Sequence, residues 1–593
     1  MSSQLEKDDH LIQIRDKLRK DGIKLWLPPY FQESKSSESE IKKLSADFSR
    51  ELKIPTEVCL EIITELQASS LENLKQKNLF QDKGLATIKI KVLLQNTPPR
   101  IFSKELFLSL KALDLKDIIK QEVHIEREGL KLISSGRVLT DVDSLGSQGV
   151  KNGSQILAIV LIESPSQVSQ NESQIKELES VKTDSKLLAL DNEYMQLEDQ
   201  FGNPIKIPPN ERKALVVAMA LHEKGKAALK RNDFSRALIF FLESDQEFRQ
   251  CNSQLLKTVD NYALLDLDIA WCYLNLESFV QLPEAYERLQ RCEEKFRSTY
   301  GSNLERLIEI KGTPGNEEAL FMRLHLLQAI VLYHQNKRPE ALNLFRKVEE
   351  EVRHLRVDEN SITALVELGF SIKEATIGLR AARGDVNNAA NYINENRNKR
   401  AEGRRKAQAE AILEKERKKL GMCADGKQYV DPNFLKILVN MGYSKEAAGI
   451  ALKHTNNVIS DSIEYIQDNP LPGPSGSRST ELLSFIDDLS QELEDAGFDS
   501  RMAKMALKKH SGDIMKAAEE LITNDGIIAG DLSDLIGEES LENIKRRRQD
   551  SKEKTEALHR LKEDMEIVDD DYLDTNLVQE EMFLRQYLSL LEK

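Results

Sequence analysis

Three stretches of 25 residues align with one another without a gap: GFSIKEATIGLRAARGDVNNAANYI from Gly369, GYSKEAAGIALKHTNNVISDSIEYI from Gly442 and GFDSRMAKMALKKHSGDIMKAAEEL from Gly497. A repeat this short cannot share one large core, so this part of the chain must be a row of small modules. In each copy an aromatic follows the glycine, a leucine lies ten positions on (Leu379, Leu452, Leu507), and a β-branched residue sits at Val386, Ile459 or Ile514. Ala375, Ala448 and Ala503 let short helices approach closely, and GD or NN separates the second helix from the third. Upstream, Ile362, Leu365 and Val366, then Phe434, Leu435 and Leu438, then Leu483, Ile486 and Leu489 supply a first helix. Each copy is predicted to be a three-helix bundle.

The full length of 593 residues leaves room for about three to six units. A formal charge of −15 argues against a surface that embraces nucleic acid, so proteins are the expected partners. No apolar run reaches the roughly 18 to 20 residues that a bilayer requires, and MSSQLEKDDH lacks the apolar stretch of a signal peptide. These features predict no membrane partner and a place in the cytoplasm or nucleus. Five scattered cysteines without a CxxC pair (Cys59, Cys251, Cys272, Cys292, Cys423) read as reduced thiols.

From Ala86, ATIKIKVLL alternates Ile88, Ile90 and Val92 with polar residues, the period of a half-buried strand. KELFLSL reads as a second strand, and KALDLKDIIKQEVHIER as a helix whose start suits Asp114 and Asp117. LKLISSGRVL with its Ser-Gly turn and SQILAIVLI complete a ββαββ order. Over roughly Leu85 to Ile162 this order and these residues resemble ubiquitin. The resemblance places Ile133, Leu157 and Ile159 where ubiquitin has its exposed apolar recognition patch, with Leu157 in place of that family's histidine. The alternative, that two of the three are core residues, stays open. Because the strand runs on as LIESPSQVSQNES instead of ending in Gly-Gly, the segment is not expected to be conjugated. Internal domains of this kind imply a ligand for proteasome regulatory-particle receptors.

The three repeats resemble the ubiquitin-associated (UBA) domain, whose loop after the first helix reads Met-Gly-Phe or Met-Gly-Tyr. The matching residues are Leu368, Gly369 and Phe370, then Met441, Gly442 and Tyr443, then Ala496, Gly497 and Phe498. Glycine permits a tight loop, and the flanking apolar pair can lie on an apolar patch of a ubiquitin-like modifier. Ala496 offers less contact area, so altered binding is expected there. A generic bundle that binds nothing is the alternative.

Between Pro208 and Val357 the pattern is helical. Counting from Gly225, Ala237 lies 12 on and Phe241 16 on, and from Ala329 the same offsets reach Ala341 and Phe345. This spacing resembles a tetratricopeptide (TPR) repeat. A third hairpin is expected between them, although Ala270 and Ala285 are three residues too far apart for the same turn. Such hairpins stack into a concave face for peptides, or serve as a spacer. Helical patterns also fill the first 80 residues around LWLPPYF, where Trp26 and Tyr30 pack locally or dock elsewhere.

From Arg397 to Lys419 ten Lys or Arg face four Glu, a net of +6. Arg404, Arg405 and Lys406 with Lys415, Arg417, Lys418 and Lys419 resemble a bipartite nuclear import signal; a solvated helix is the compatible alternative. Aromatic residues do not interleave with these charges, which disfavours nucleic acid. The stretches 163–186 and 469–479 read as mobile linkers, and the acidic tail as mobile or partner-dependent.

Nothing in the spacing of the nine histidines or five cysteines makes a catalytic or metal constellation, and no phosphate loop or cofactor motif is present. Cys423, in LGMCADGKQY, reads as the most exposed thiol, an ordinary linker cysteine before a nucleophile. The chain is expected to be no enzyme.

The expected fold is multidomain and mainly α, with one ubiquitin-like β-grasp domain, a TPR-like helical middle and three UBA bundles. Its divisions are a helical region 1–82, the ubiquitin-like domain 83–162, a linker 163–207, the TPR-like region 208–356, UBA bundles 357–397, 429–469 and 480–524, a basic helical linker 398–428, a Pro/Gly/Ser linker 470–479 and a charged helical or disordered tail 525–593. This combination resembles the family of negative regulators of ubiquitin-like proteins. What the resemblance implies is a shuttle-type adaptor that captures Nedd-eight and ubiquitin D, with ubiquitin a further candidate, and delivers them and their conjugates to the proteasome. A co-chaperone or assembly scaffold built on the helical middle is the alternative.

Overall fold

Helix Ser2–Lys20 (α1) opens the chain, followed by a two-residue ribbon (β1 Phe31–Gln32, β2 Lys35–Ser36) and helices Glu38–Leu52 (α2) and Thr56–Lys83 (α3). In this computed structural model the chain divides into two units: residues 1–197, 206–397 and 557–593, and residues 198–205 and 398–556. The structure describes residues 2–32, 35–93, 98–124, 130–160, 168–189, 207–251, 261–278, 281–301, 317–426, 428–469, 490, 493, 498, 500–510, 514–523, 538–562 and 577–592.

In the first unit the N-terminal helices close on Ile14, Leu44, Phe48, Ile62 and Ile63. Gln67, 3% exposed, donates to the carbonyls of Leu25 and Tyr30, which satisfies backbone that LWLPPYF cannot pair with itself. Trp26 and Tyr30 are half-buried within this local fold. Gly84, at φ +68°, ends α3 and turns the chain directly into the sheet.

The sheet runs β4-β3-β7-β5-β6, from Leu85–Leu93 (β3), Arg100–Phe107 (β4), Leu130–Ser134 (β5), Arg137–Val138 (β6) and Gln155–Val160 (β7). β3 pairs antiparallel with β4 and parallel with β7, and β5 pairs antiparallel with β7. Helix Ala112–Val123 (α4) covers one face, where Ile88, Ile90, Leu115, Ile119, Leu132 and Ile156 form the core. The second strand starts and ends earlier than KELFLSL suggested, because Ile90 pairs with Phe102 and the chain turns after Phe107. A sixth element, β6, was absent from the expected ββαββ order.

The helical middle comprises Val168–Leu188 (α5), Pro209–Lys230 (α6), Phe234–Phe248 (α7), Asn261–Asn275 (α8), Leu282–Tyr300 (α9), Glu318–His334 (α10) and Arg338–Leu355 (α11). Successive helices pair as hairpins. The sequence offset from Gly225 to Phe241 has a steric cause: a Cβ on Gly225 would lie 2.4 Å from the Phe241 ring. The longer hairpin also forms, burying both Ala270 and Ala285. α5 corrects the reading of 163–186 as a mobile linker, since Leu178, Val181 and Leu188 make a buried stripe that joins the helical core.

The first repeat folds as Glu359–Glu367 (α12), Ile372–Ala381 (α13) and the start of Val386–Leu420 (α14). α14 runs unbroken past the boundary expected at residue 397. In the second unit the second repeat is Pro432–Asn440 (α15), Lys445–His454 (α16) and Ile459–Asp468 (α17). Of the third, Ser500–Lys509 (α18) and Ile514–Thr523 (α19) are described. The linker expected at 470–479 lies outside the described residues. Helix Glu538–Lys562 (α20) precedes Val578–Leu591 (α21). α21 overturns the expectation of a mobile tail for that segment: Leu584, Tyr587 and Leu590 are buried in the helical core of the first unit. Among the described residues no helix is long and apolar enough to cross a membrane.

Candidate functional site

The glycine loops of the first and second repeats are helix C-caps of the Schellman type. In the first repeat Gly369, at φ +91°, donates to Val366 O (2.9 Å), and Phe370 donates to Leu365 O (3.2 Å). In the second, Gly442 at φ +99° donates to Val439 O (2.9 Å) and Tyr443 to Leu438 O (3.2 Å). A Cβ on either glycine would meet nothing within 4 Å, so the backbone angle, not space, demands glycine. The aromatic packs inward beside the leucine whose carbonyl it caps. The residue before the glycine is thereby pushed outward: Leu368 is 64% exposed and Met441 58%. The expected binding residues therefore split into exposed Leu368 and Met441, inward Phe370, and half-buried Tyr443.

Exposed apolar neighbours extend each loop. Val366 and Ile372 flank Leu368, while Ile437 and Val439 flank Met441. The repeat pattern does not mark Ile372, Ile437 or Val439, and Val366, expected on the apolar face of the first helix, is instead 40% exposed. In the first repeat Ser371 and Glu374 form a capping box, and Arg397 grips Glu374 with two bonds of 2.8 Å. The Arg397 guanidinium also lies 5.0 Å from the Phe370 ring centroid. The Arg397 bonds, with those from Ser371, hold the Glu374 carboxyl at about 2. For the third repeat Ala496 and Gly497 lie outside the described residues; Phe498 donates to Leu493 O at 3.0 Å and packs on the module's core.

The residues expected to form an exposed patch on the sheet are corrected. Ile133, Leu157 and Ile159 are each 0% exposed and belong, with Leu93, to the core of the helical middle. They lie on the sheet face opposite α4, and the helical layer covers that face. Each such side chain contributes roughly 1.5–3 kcal/mol when buried, so four of them make a substantial interface. Polar contacts fix the register. Lys91 Nζ donates to Leu276 O and Glu277 O, both at 3.1 Å, and Arg288 Nη2 reaches Gly136 O at 3.4 Å. Arg288 is 1% exposed, and though burial opposes its charge, Asp245, Glu284 and Asp266 hold it protonated. In the sequence Lys91 reads only as a polar strand residue. Alternation alone would have flagged a sheet face with four large apolar residues and no helix of its own to cover it.

Cys423 is also corrected: it is 4% exposed, its thiol lies 3.8 Å from Leu452 O, and burial raises its pKa. A small hairpin brings it there. Cys423 N donates to Gln428 O (2.8 Å) and Ala424 N to Lys453 O (2.8 Å), so these residues, expected in the basic linker, pack on the second repeat. Arg404, Arg405, Lys406 and Lys419 are exposed on α14, with Lys406 paired to Glu402, whereas Arg417 is half-buried near Asp431. Side chains of Lys415 and Lys418 lie outside the description. Among the described residues no group of three or more His, Cys, Asp or Glu could hold a metal ion.

Comparison with known proteins decides the relationship. Residues 75–161 match the family model described as the NUB1 ubiquitin-like domain. The chain is 31% identical to NEDD8 ultimate buster 1 of Homo sapiens, covering 97% of this chain and 96% of that protein. The chain belongs to the NEDD8 ultimate buster 1 family. The Mus musculus member is 32% identical over the same shares, and a Bos taurus member 29% identical over 36% of this chain and 96% of its own length. The family match begins within α3, so it takes in the last turns of the helix that leads into β3.

Proposed function

We propose that this chain is a non-enzymatic adaptor that captures ubiquitin-like modifiers, NEDD8 and ubiquitin D foremost and ubiquitin as a further candidate, and delivers them with their conjugates to the proteasome. The observation that carries this reading is the repeated cap that holds Leu368 and Met441 out in solvent beside a backbone turn only glycine adopts comfortably. Three UBA-type surfaces on one chain raise the effective concentration of each for a cargo already held by another. The names of the relatives support NEDD8 as one modifier. The ubiquitin-like domain is the proteasome-facing element in this reading, and because Ile133, Leu157 and Ile159 are covered, delivery through that face requires the sheet to leave the helical layer. The basic face of α14 supports residence in both nucleus and cytoplasm.

A second reading, a co-chaperone or scaffold, is favoured by the stacked helical hairpins from α6 to α11, an arrangement that in repeat proteins presents a face for extended segments. One titration separates the two. The purified chain is titrated with NEDD8, ubiquitin D and ubiquitin, alongside a variant carrying Gly369→Ala, Gly442→Ala and Gly497→Ala. At least tenfold loss of affinity in the variant is expected. Unchanged affinity would move the capture surface to the helical middle and make the scaffold reading the stronger one.

A further inference from the structure

We propose that the groove formed by α10 and α11 is a helix-binding site, filled in cis by α21 and able to accept instead an acidic amphipathic helix of a partner protein. This goes beyond the modifier-binding reading and does not depend on it.

The occupant is read by its side chains at helical spacing. Glu580, Phe583, Leu584, Tyr587 and Leu590 fall at i, i+3, i+4, i+7 and i+10, the pattern by which a helix fills a groove. Tyr587 is 1% exposed, with ring centroids of Tyr333 at 5.0 Å and Phe345 at 5.7 Å, and its hydroxyl lies 3.0 Å from His334 Nε2. Phe583 meets Trp271 edge-on at 5.7 Å. Charge complements shape at both ends. Arg323 Nε bonds Glu580 at 2.9 Å and Arg356 grips Glu581 with bonds of 2.8 and 2.7 Å. At the other end Arg338 donates to Leu590 O at 3.1 Å, where a helix presents its negative pole.

The receptor side chains also have partners outside α21. The Arg323 guanidinium lies 4.7 Å from the Trp271 ring centroid, and Arg338 bonds Asp9 of α1 at 2.7 Å while the Tyr333 hydroxyl also bonds Asp9. A groove already ordered loses little freedom when a ligand enters, which is how binding sites differ from ordinary core. Residues 563–576 are fourteen positions, seven of them Asp or Glu. At full extension fourteen residues span roughly 50 Å, so α21 can leave the groove with every other helix in place. Short tethers commonly give effective concentrations near the millimolar range, so a partner helix must outcompete α21. A permanent cap on the last hairpin would show the same contacts, but it would not exchange.

The experiment uses the full chain with a protease site placed within residues 565–571, cut under native conditions, and a fluorescent peptide of residues 577–592. We expect the cut chain to exchange its own helix for the peptide with a saturable isotherm, the uncut chain to bind the peptide at least tenfold more weakly, and a Tyr587→Ala peptide not to bind. Retention of the original helix by the cut, folded chain without exchange would overturn the proposal, as would equal binding of the Tyr587→Ala peptide. Concentration-dependent dimers that the peptide dissolves would assign the groove to a second copy of this chain and overturn the partner assignment.

Discussion

Lys91 of β3 directs its ammonium at the carbonyls of Leu276 and Glu277 in the turn between α8 and α9, each at 3.1 Å. Burial lowers the pKa of this lysine, so its two acceptors carry the compensation for a charge taken out of water. Replacing Lys91 by methionine keeps the stem and removes the bonds. Loss of hydrogen bonds made by a charged group costs about 1.5–3 kcal/mol. Hydrogen exchange at Ile133 and Leu157 should quicken in Lys91→Met, and unchanged protection would show that the apolar face alone holds the sheet down.

Gly136 tests the same contact from the other side. At φ +72°, a Cβ there would fall within 1.5 Å of the Glu284 carboxylate, which is itself bound by Arg288 (2.7 Å) and the Tyr273 hydroxyl (3.1 Å). Gly153, at φ +79° with nothing within 4 Å, shares the strain without the collision. Gly136→Ala should therefore cost more than Gly153→Ala, by about 1–2 kcal/mol in denaturant titration. Equal losses would mean that Glu284 moves aside freely.

Local chemistry was legible in the sequence and long-range cover was not. The glycine-aromatic pairs at Gly369-Phe370 and Gly442-Tyr443 announce themselves because a helix cap is decided by adjacent residues. The burial of Ile133, Leu157 and Ile159 depends on helices contributed by later parts of the chain, and nothing near those strands names their partner. Composition misled at α5, where Ser, Gln and Glu outnumber the few apolar residues that carry the packing. Glu580 shows the same limit: an acid in an acidic tail reads as solvated until Arg323 closes on it.

Acid should loosen the first repeat before it affects the second. Glu374 titrates at about 2 in the folded chain against an ordinary 4.5, so it adds stability above 4.5 that is lost as pH falls towards 2. Exchange at the Phe370 amide relative to its intrinsic rate at each pH, followed from pH 5 to pH 2.5, should rise in the native chain. In Glu374→Gln that rise should be absent, and its persistence would place the acid sensitivity elsewhere.

Cys423 should resist alkylation in the native chain and react on unfolding, because it is 4% exposed and its thiol pKa is raised. Mass spectrometry of peptides after a brief iodoacetamide pulse measures this directly. Rapid native labelling would mean that the hairpin carrying it opens readily. Cys423→Ser should lower stability by about 1–2 kcal/mol by placing a hydroxyl in that apolar setting.

Tyr333 is touched by both extremities of the described fold, through Asp9 of α1 and through Tyr587 of α21. During synthesis the first of these contacts is available as soon as α10 emerges, and the second is not. His334 and Tyr587 are separated by 253 positions. At a ribosomal pace of about 5–20 residues per second, that interval lasts roughly 13–50 s. For that time the last hairpin must do without the aromatic cover that Tyr587 later supplies to Tyr333 and Phe345.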